Sequence, residues 1–292
     1  MIDNDNFYCK NKDIYPPFKN GLYLEEYFLK NITEQKLTLK RKYIPALWTN
    51  FQIEPWFKSE YNKMQSDLDK WIELNPSPDG YFVVVQHDDG PLLKLPPNTI
   101  IYGSCSGNVP IPLIYQDINN HLEKMITKPF DKKDILCSFI GSITSNQIKP
   151  NVRKKIFDIF SDNKNFKLIN SGSWTPCVNR IKQLNFIELT VNSKFGLAPR
   201  GYGRSSFRFF EILKMGTIPV YVWNDVSWLP FTDVIDYSKL CIVVHESELD
   251  KLESILSKIT KDDYCNMLYY YQQIKHLFTL EGMFNKIISY NI

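Results

Sequence analysis

The sequence predicts an α/β protein of two domains, on three observations. The chain has 292 residues, which is long for one compact domain and comfortable for two of ordinary size. From residue 135 onward, short β-branched and aromatic runs alternate with segments of helical apolar spacing, the pattern of a doubly wound parallel sheet. Upstream, residues 81–86 (YFVVVQ) form an apolar run that stops abruptly at His87-Asp88-Asp89-Gly90, a buried strand entering a polar turn.

Taken in order, residues 1–75 read as irregular, with Pro16-Pro17, many aromatics and one helix around 22–29. Strands follow at 81–86, 99–102 and 113–115, separated by glycine and proline turn signals. The second series opens with a strand at 135–140, closed by Gly141 and Ser142. Pro150 then opens a helix whose Val152, Ile156, Phe157 and Phe160 keep helical spacing. A strand at 166–169, a helix marked by Val178, Ile181 and Leu184, and a strand at 195–198 come next. A helix at 205–215, strands at 217–222 and 240–244, and an amphipathic helix carrying Leu249, Leu252, Ile255, Leu256 and Ile259 complete the series. The chain is helical after 262, and the polar stretch 129–134 separates a domain of 1–133 from one of 134–264.

Composition narrows the class. Hydrophobic residues make up 43% and charged residues 23%, as in an ordinary globular protein, and the net charge of +3 is too small to argue for nucleic acid or a membrane surface. Aromatic content is high at 14%, a weak pointer to sugar sites. The six cysteines form no C-x-x-C pair and no zinc-finger spacing, so free thiols in a reducing compartment are expected. The N-terminus MIDNDNFYCK is polar and acidic rather than a secretory signal, and no apolar stretch approaches the roughly 18 residues of a membrane span. The expectation is a cytoplasmic protein with no transmembrane segment.

The most informative stretch is 195–219, FGLAPRGYGRSSFRFFEILKMGTIP: a strand, a glycine-containing turn, a helix and the start of a second strand. Gly201 and Gly203 permit close backbone approach, Ser205 or Ser206 suits the cap of the helix, and Gly216 suits its end. The free N–H groups and positive end of such a helix form a natural diphosphate site. Arg200 and Arg204 precede the helix and Arg208 lies in it; guanidinium matches phosphate oxygens in a bidentate way. Arg208 and Glu211 share a helical face. On a surface they would be a routine ion pair, but Phe207, Phe209, Phe210, Ile212 and Leu213 make this helix nearly all apolar, so its charges need a partner or a ligand. A ribose diol would suit Glu211.

The order Pro199-Arg200-Gly201, Ser206-x-Arg208-x-x-Glu211, Gly216, Ile218-Pro219-Val220, Asp225 and Leu229-Pro230-Phe231, continuing to Val243-Val244-x-Glu246, resembles the core motif of exostosin-like glycosyltransferases of the GT47 type. Upstream, Phe139-x-Gly141 with Arg153 resembles the opening strand and helix of the same domain, and His87-Asp88-x-Gly90-Pro91 its HD-x-G element. The resemblance covers roughly residues 79–262. Compact size and the lack of a membrane stem look most like the soluble members encoded by large algal DNA viruses. Two positions depart from the pattern: Tyr237 stands where the family usually has Trp, and Gly196 where Cys is frequent.

The resemblance implies a GT-B fold: two Rossmann-like domains facing a cleft, with the C-terminal helix, within 265–292, crossing back to the first. It implies an inverting transferase that takes a UDP-sugar and passes the sugar to a hydroxyl of an oligosaccharide or glycoprotein acceptor. Donor-binding roles fall to Gly141, Ser142, Arg153, Arg200, Gly201, Gly203, Ser205, Ser206, Arg208 and Glu211. The viral relatives favour UDP-xylose and a viral glycoprotein glycan; UDP-glucuronate is the alternative. For the base, Asp88 is the first choice and Asp89 the second, with His87 as orienter or alternative base. The alternative is a plain turn, since Asp-Gly is a common turn dipeptide. No D-x-D metal motif is visible, and with cations supplied by arginine no metal and no cofactor is expected. Two other classes stay open. An NAD-dependent oxidoreductase would use Gly201-x-Gly203-x-x-Ser206, with Ser in the third position and Asp225 as the nearest acidic residue. A non-catalytic sugar- or nucleotide-binding module would keep the fold without turnover.

Overall fold

A computed structural model describes residues 1–10, 16–35, 37–124, 127–143, 151–173, 175 and 177–292. The chain divides into two compact α/β units, each built on a parallel sheet, the two-domain architecture expected of a GT-B protein. The first unit takes 1–13, 21–116 and 276–292, and the second 14–20 and 117–275. Among the described residues no helix is long and apolar enough to cross a membrane.

In the first unit, α1 (Leu24–Gln35) is followed by β1 (Lys42–Tyr43), α2 (Trp48–Gln52), α3 (Phe57–Leu74), β2 (Tyr81–Val85), β3 (Thr99–Gly103) and β4 (Val109–Pro110). The strands pair in parallel in the order β1-β2-β3-β4. All of β2 is buried, and its period of two divides it between two layers. Tyr81, Val83 and Val85 pack into a core with Trp48, Phe51, Phe57, Met64, Leu68 and Trp71 from α2 and α3. Phe82 points the other way, edge-on to Phe28 of α1 and Tyr102 of β3. The C-terminal helix, Leu280–Ser289, closes that layer by setting Phe284 against Phe28 and Tyr27.

Residues 1–75 are thus far from irregular. The 18-residue α3 buries Phe57, Met64, Leu68 and Trp71, a stripe at helical spacing interrupted by so many charges that it carries little hydrophobicity overall. The expected strand at 113–115 does not form. Pairing with β3 falls instead on Val109–Pro110, and because β3 ends at Gly103, opposite Pro110, its ladder does not reach 113–115; Tyr115 makes only an isolated bridge to Tyr23.

The second unit runs β5 (Ile135–Gly141), α4 (Val152–Phe160), β6 (Phe166–Asn170), α5 (Arg180–Val191), β7 (Ser193–Pro199), α6 (Phe207–Lys214), β8 (Ile218–Trp223), β9 (Ile242–His245), α7 (Leu252–Ser257) and α8 (Lys261–Ile274). Its five strands are parallel in the order β6-β5-β7-β8-β9. The chain steps outward from β5 to β6 and then back to β7 on the other side of β5, so a topological switch point lies between the carboxyl ends of β5 and β7. One face buries Cys137, Phe139, Phe195, Leu197, Val220 and Val222 against α4, α7 and α8.

Local capping sets the helix ends. Asn151, Asn179 and Ser206 cap α4, α5 and α6, each accepting a main-chain N–H from its first turn. Pro150, expected to open α4, lies outside the described residues. The helix expected over 249–259 is divided: a 3₁₀ segment (Glu246–Lys251) precedes α7. The polar stretch 129–134 is not all solvated. Lys133, 3% exposed, donates Nζ to the carbonyls of Val191 and Ser193 and to Thr217 Oγ1, satisfying the carboxyl end of α5, and burial pushes its pKa down to about 8. The departure at Gly196 has a packing reason, because a Cβ there would stand 2.8 Å from Ile212 Cδ1. Tyr237 is buried and donates its hydroxyl to the Pro230 carbonyl at 2.8 Å.

Candidate functional site

The carboxyl ends of β5, β7 and β8 carry most of the residues singled out from the sequence. Loops leaving the carboxyl edge of a parallel sheet converge beside its switch point, the place where ligands of such folds bind. Ser206 is the N-cap of α6, and its hydroxyl accepts the Arg208 N–H at 3.3 Å. The helix starts at Phe207, two residues later than the sequence predicts, and Gly216 ends it at φ 67°.

Arg208 reaches back over the end of β5. Its guanidinium lies 4.7 Å from the ring centre of Phe139 and 5.2 Å from that of Phe186, so two aromatic rings hold it in place. Gly141 makes the room: a Cβ there would be 2.9 Å from Arg208 Nη1. Arg153, in the first turn of α4, stitches the switch point together. It donates Nη1 to Ser142 O at 3.1 Å and Nε to Arg200 O at 3.2 Å. Gly201 leaves room for that approach, since a Cβ there would meet Arg153 Nη2 at 2.9 Å. Gly201 does not adopt the left-handed backbone; its use is closeness rather than a special φ.

Arg200 is engaged more heavily than its sequence position suggests. Its side chain is only 10% exposed and donates to Asn224 Oδ1 at 3.0 Å, to the Asp225 carboxylate and to Tyr202 O at 2.9 Å. Arg204 donates to the other oxygen of Asp225 at 2.9 Å and lies over Trp228. Burial acts to raise the Asp225 carboxyl, but the Val226 N–H and the two guanidinium groups outweigh it and hold the carboxyl well below the usual carboxylate range. Asp225 therefore fixes the 200–206 loop, and Arg200 shapes the loop as much as it offers charge. Glu211 is buried at 6% exposure on α6, and Gly203 is buried within the loop.

His87, Asp88 and Asp89 belong to the first unit, at the carboxyl end of β2. They form a turn closed by Gly90 N–H to His87 O at 3.0 Å, with Gly90 at φ 72°. The Asp89 N–H donates to His87 Nδ1 at 3.3 Å, so that nitrogen carries a lone pair and the neutral ring keeps its proton on Nε2. Burial lowers the His87 pKa, against the pull of Asp88 and Asp89. A neutral imidazole whose lone pair is already occupied suits the orienting role better than that of base. Asp88 is half-buried and Asp89 exposed.

Sequence reasoning missed the residues that hold this turn: Glu25, Gln52 and Gln86, all buried. Gln86 alone left a signal, as the polar end of an otherwise apolar strand. Among the described residues, no group of three or more His, Cys, Asp or Glu is gathered as a metal site.

Comparison with known proteins bears on the same segments. The model of the exostosin GT47 domain matches residues 104–259, just over half of the chain. An exostosin-1 homolog of Caenorhabditis elegans is 40% identical over 75 residues, 25% of this chain and 19% of its own. A "Probable glycosyltransferase" of Arabidopsis thaliana is 36% identical over 83 residues, 28% of this chain and 17% of its own. A "Probable glucuronosyltransferase" of Oryza sativa subsp. japonica is 38% identical over 78 residues, 27% of this chain and 18% of its own. The chain thus spans less than a fifth of the length of these relatives. With the switch point, the capped α6 and the pinned Arg208 in place, the chain belongs to the exostosin GT47 domain family.

Proposed function

We propose that this protein is an inverting glycosyltransferase that takes a sugar from a UDP-sugar and passes it to a hydroxyl of a glycan acceptor. The observation that carries the reading is the site at the switch point. The capped start of α6 presents the positive end of its dipole beside the pinned Arg208 guanidinium, where a diphosphate would sit. As the leaving UDP gains charge, these fixed donors stabilise it without rearranging. Arg153, Gly141, Ser142, Gly201, Gly203 and Ser205 shape the pocket, Arg200 adds charge while tying the loop, and Glu211 takes the ribose hydroxyls. Asp88 removes the acceptor proton, with Asp89 as the second choice and His87 as orienter.

UDP-xylose is the proposed donor, and a glycan of a viral glycoprotein lies within the acceptor class. Because one relative carries the name of a probable glucuronosyltransferase, UDP-glucuronate is the second reading. UDP release measured across a panel of UDP- and GDP-sugars separates the two, and release from none of them leaves a binding module. Asp88→Asn is expected to keep the UDP-induced thermal shift while lowering turnover about 10²-fold or more. Wild-type turnover in that variant removes Asp88 from the mechanism.

A further inference from the structure

The turn carrying His87, Asp88 and Asp89 is held at both ends by buried polar side chains from α1 and α2. On its far side Gln52, 7% exposed, donates Nε2 to Gly90 O at 2.9 Å and accepts the Leu92 N–H at 2.6 Å. On its near side stands Glu25, 2% exposed. Glu25 Oε1 accepts the Gln86 N–H at 2.5 Å and the Thr49 hydroxyl at 2.5 Å, and Oε2 accepts the Thr49 N–H at 2.9 Å. Gln86 is itself locked, accepting the Leu24 N–H at 2.9 Å and donating to Ile114 O at 2.8 Å.

A carboxylate in this position is costly. No Lys, Arg or His among the described residues pairs with Glu25. Burial pushes its carboxyl up to about 7, against the Thr49 and Gln86 donors that pull it down, while Glu26 adds to the rise. An ordinary surface turn needs no such group, because solvent satisfies its ends. What a carboxyl group provides here is convergence: three donors from two other segments meet on its oxygens, fixing where the main chain leaves β2.

We propose that Glu25 is a positioning residue for the candidate base loop. It holds the main chain at Gln86, and through it the direction in which Asp88 and Asp89 leave the strand. The proposal rests on the reading of that loop as the source of the base. Glu25→Gln keeps the shape but turns an –NH₂ toward converging donors. Thr49→Val removes one donor, and Thr49→Ser keeps it.

The test combines kcat and donor KM from UDP release, the UDP thermal shift, and amide hydrogen exchange at residues 86–89. In Glu25→Gln, exchange at 86–89 should rise about tenfold and kcat fall about tenfold, with donor KM and the UDP shift within about twofold of wild type. Thr49→Val should move in the same direction and Thr49→Ser should match wild type. Should Glu25→Gln not fold, the two Thr49 variants carry the comparison. Unchanged exchange at 86–89, or a loss of kcat without faster exchange, overturns the positioning role. Faster exchange with unchanged kcat, while Asp88→Asn is inactive, overturns it as well. Wild-type turnover in Asp88→Asn overturns the base assignment and leaves the exchange result to decide whether Glu25 braces the turn.

Discussion

Replacing Gly141 by alanine tests the donor site through a residue that offers no functional group of its own. A methyl at that position would stand 2.9 Å from Arg208 Nη1, 3.2 Å from Nη2 and 3.0 Å from Phe139 Cζ, where ordinary contact begins at 3.4 Å. The guanidinium is the free end of a long side chain and can yield, but only by giving up its contacts with the Phe139 and Phe186 rings at 4.7 and 5.2 Å. Phe139 cannot yield either, since it is 3% exposed and packed into the core of its unit. Arg208 must therefore swing away from the switch point. Giving up the two ring contacts costs about 0.5–2 kcal/mol. Losing one preorganised donor to a developing anion costs about 10²–10³ in rate. UDP release with the preferred donor, measured as kcat/KM, should fall by about that factor, and Arg208→Ala should fall as far. The double variant should lose little more, because both changes remove the same contact. Wild-type kcat/KM in Gly141→Ala, or losses that simply add in the double variant, would refute the placement of Arg208 at the diphosphate.

Further tests reach other parts of the molecule. Asp225→Asn unties Arg200 and Arg204 from the 200–206 loop and should lower the urea midpoint at pH 7. Since the folded carboxyl is held below its unfolded value, that stabilisation is present above about pH 4 and fades as pH falls through the folded value, so the gap to wild type should narrow in acid. A gap that is constant from pH 7 to pH 2 contradicts this account. Glu25 has the opposite sign. Its folded pKa of about 7 lies above the ordinary 4.5, so its contribution is fullest below about pH 4.5 and is lost as pH rises through 7. The full difference is on the order of 3 kcal/mol, and Glu25→Gln should flatten the change in urea midpoint between pH 5 and pH 8. Turnover should persist in excess EDTA, because the pinned guanidinium and the start of α6 supply the positive charge; abolition by EDTA and recovery with Mn²⁺ would show a metal requirement.

Local signals were legible wherever one face of an element decides its structure. The run YFVVVQ announced a strand buried on both sides, and β2 is buried throughout. Ser205 or Ser206 and Gly216 marked the ends of α6, and the structure selects Ser206 as the cap, because capping is chemistry between near neighbours in the chain. The helix α3 was missed although Phe57, Met64, Leu68 and Trp71 keep its period, since charged residues between them dilute the stripe. The stretch 129–134 looked like a solvated connection because nothing near Lys133 in sequence hints at the carboxyl end of α5, which it satisfies from more than fifty residues away.

The sequence by itself determined the alternation of strands and helices from residue 135 onward, the capped helix after the Pro199-Arg200-Gly201 turn, and the residues whose order marks the family. These depend on patterns a few residues long, which hydrophobic periodicity and local hydrogen bonding set directly. Only the tertiary structure decided what the charges face. Gly141 turned out to make room for Arg208, Gly201 for Arg153, and Asp225 to bind two arginines, while Glu25 became a buried carboxylate at the end of β2. The physical reason is that the meaning of a charged side chain lies in its partners and its burial, and both are fixed by segments distant in the chain that packing brings within hydrogen-bond range.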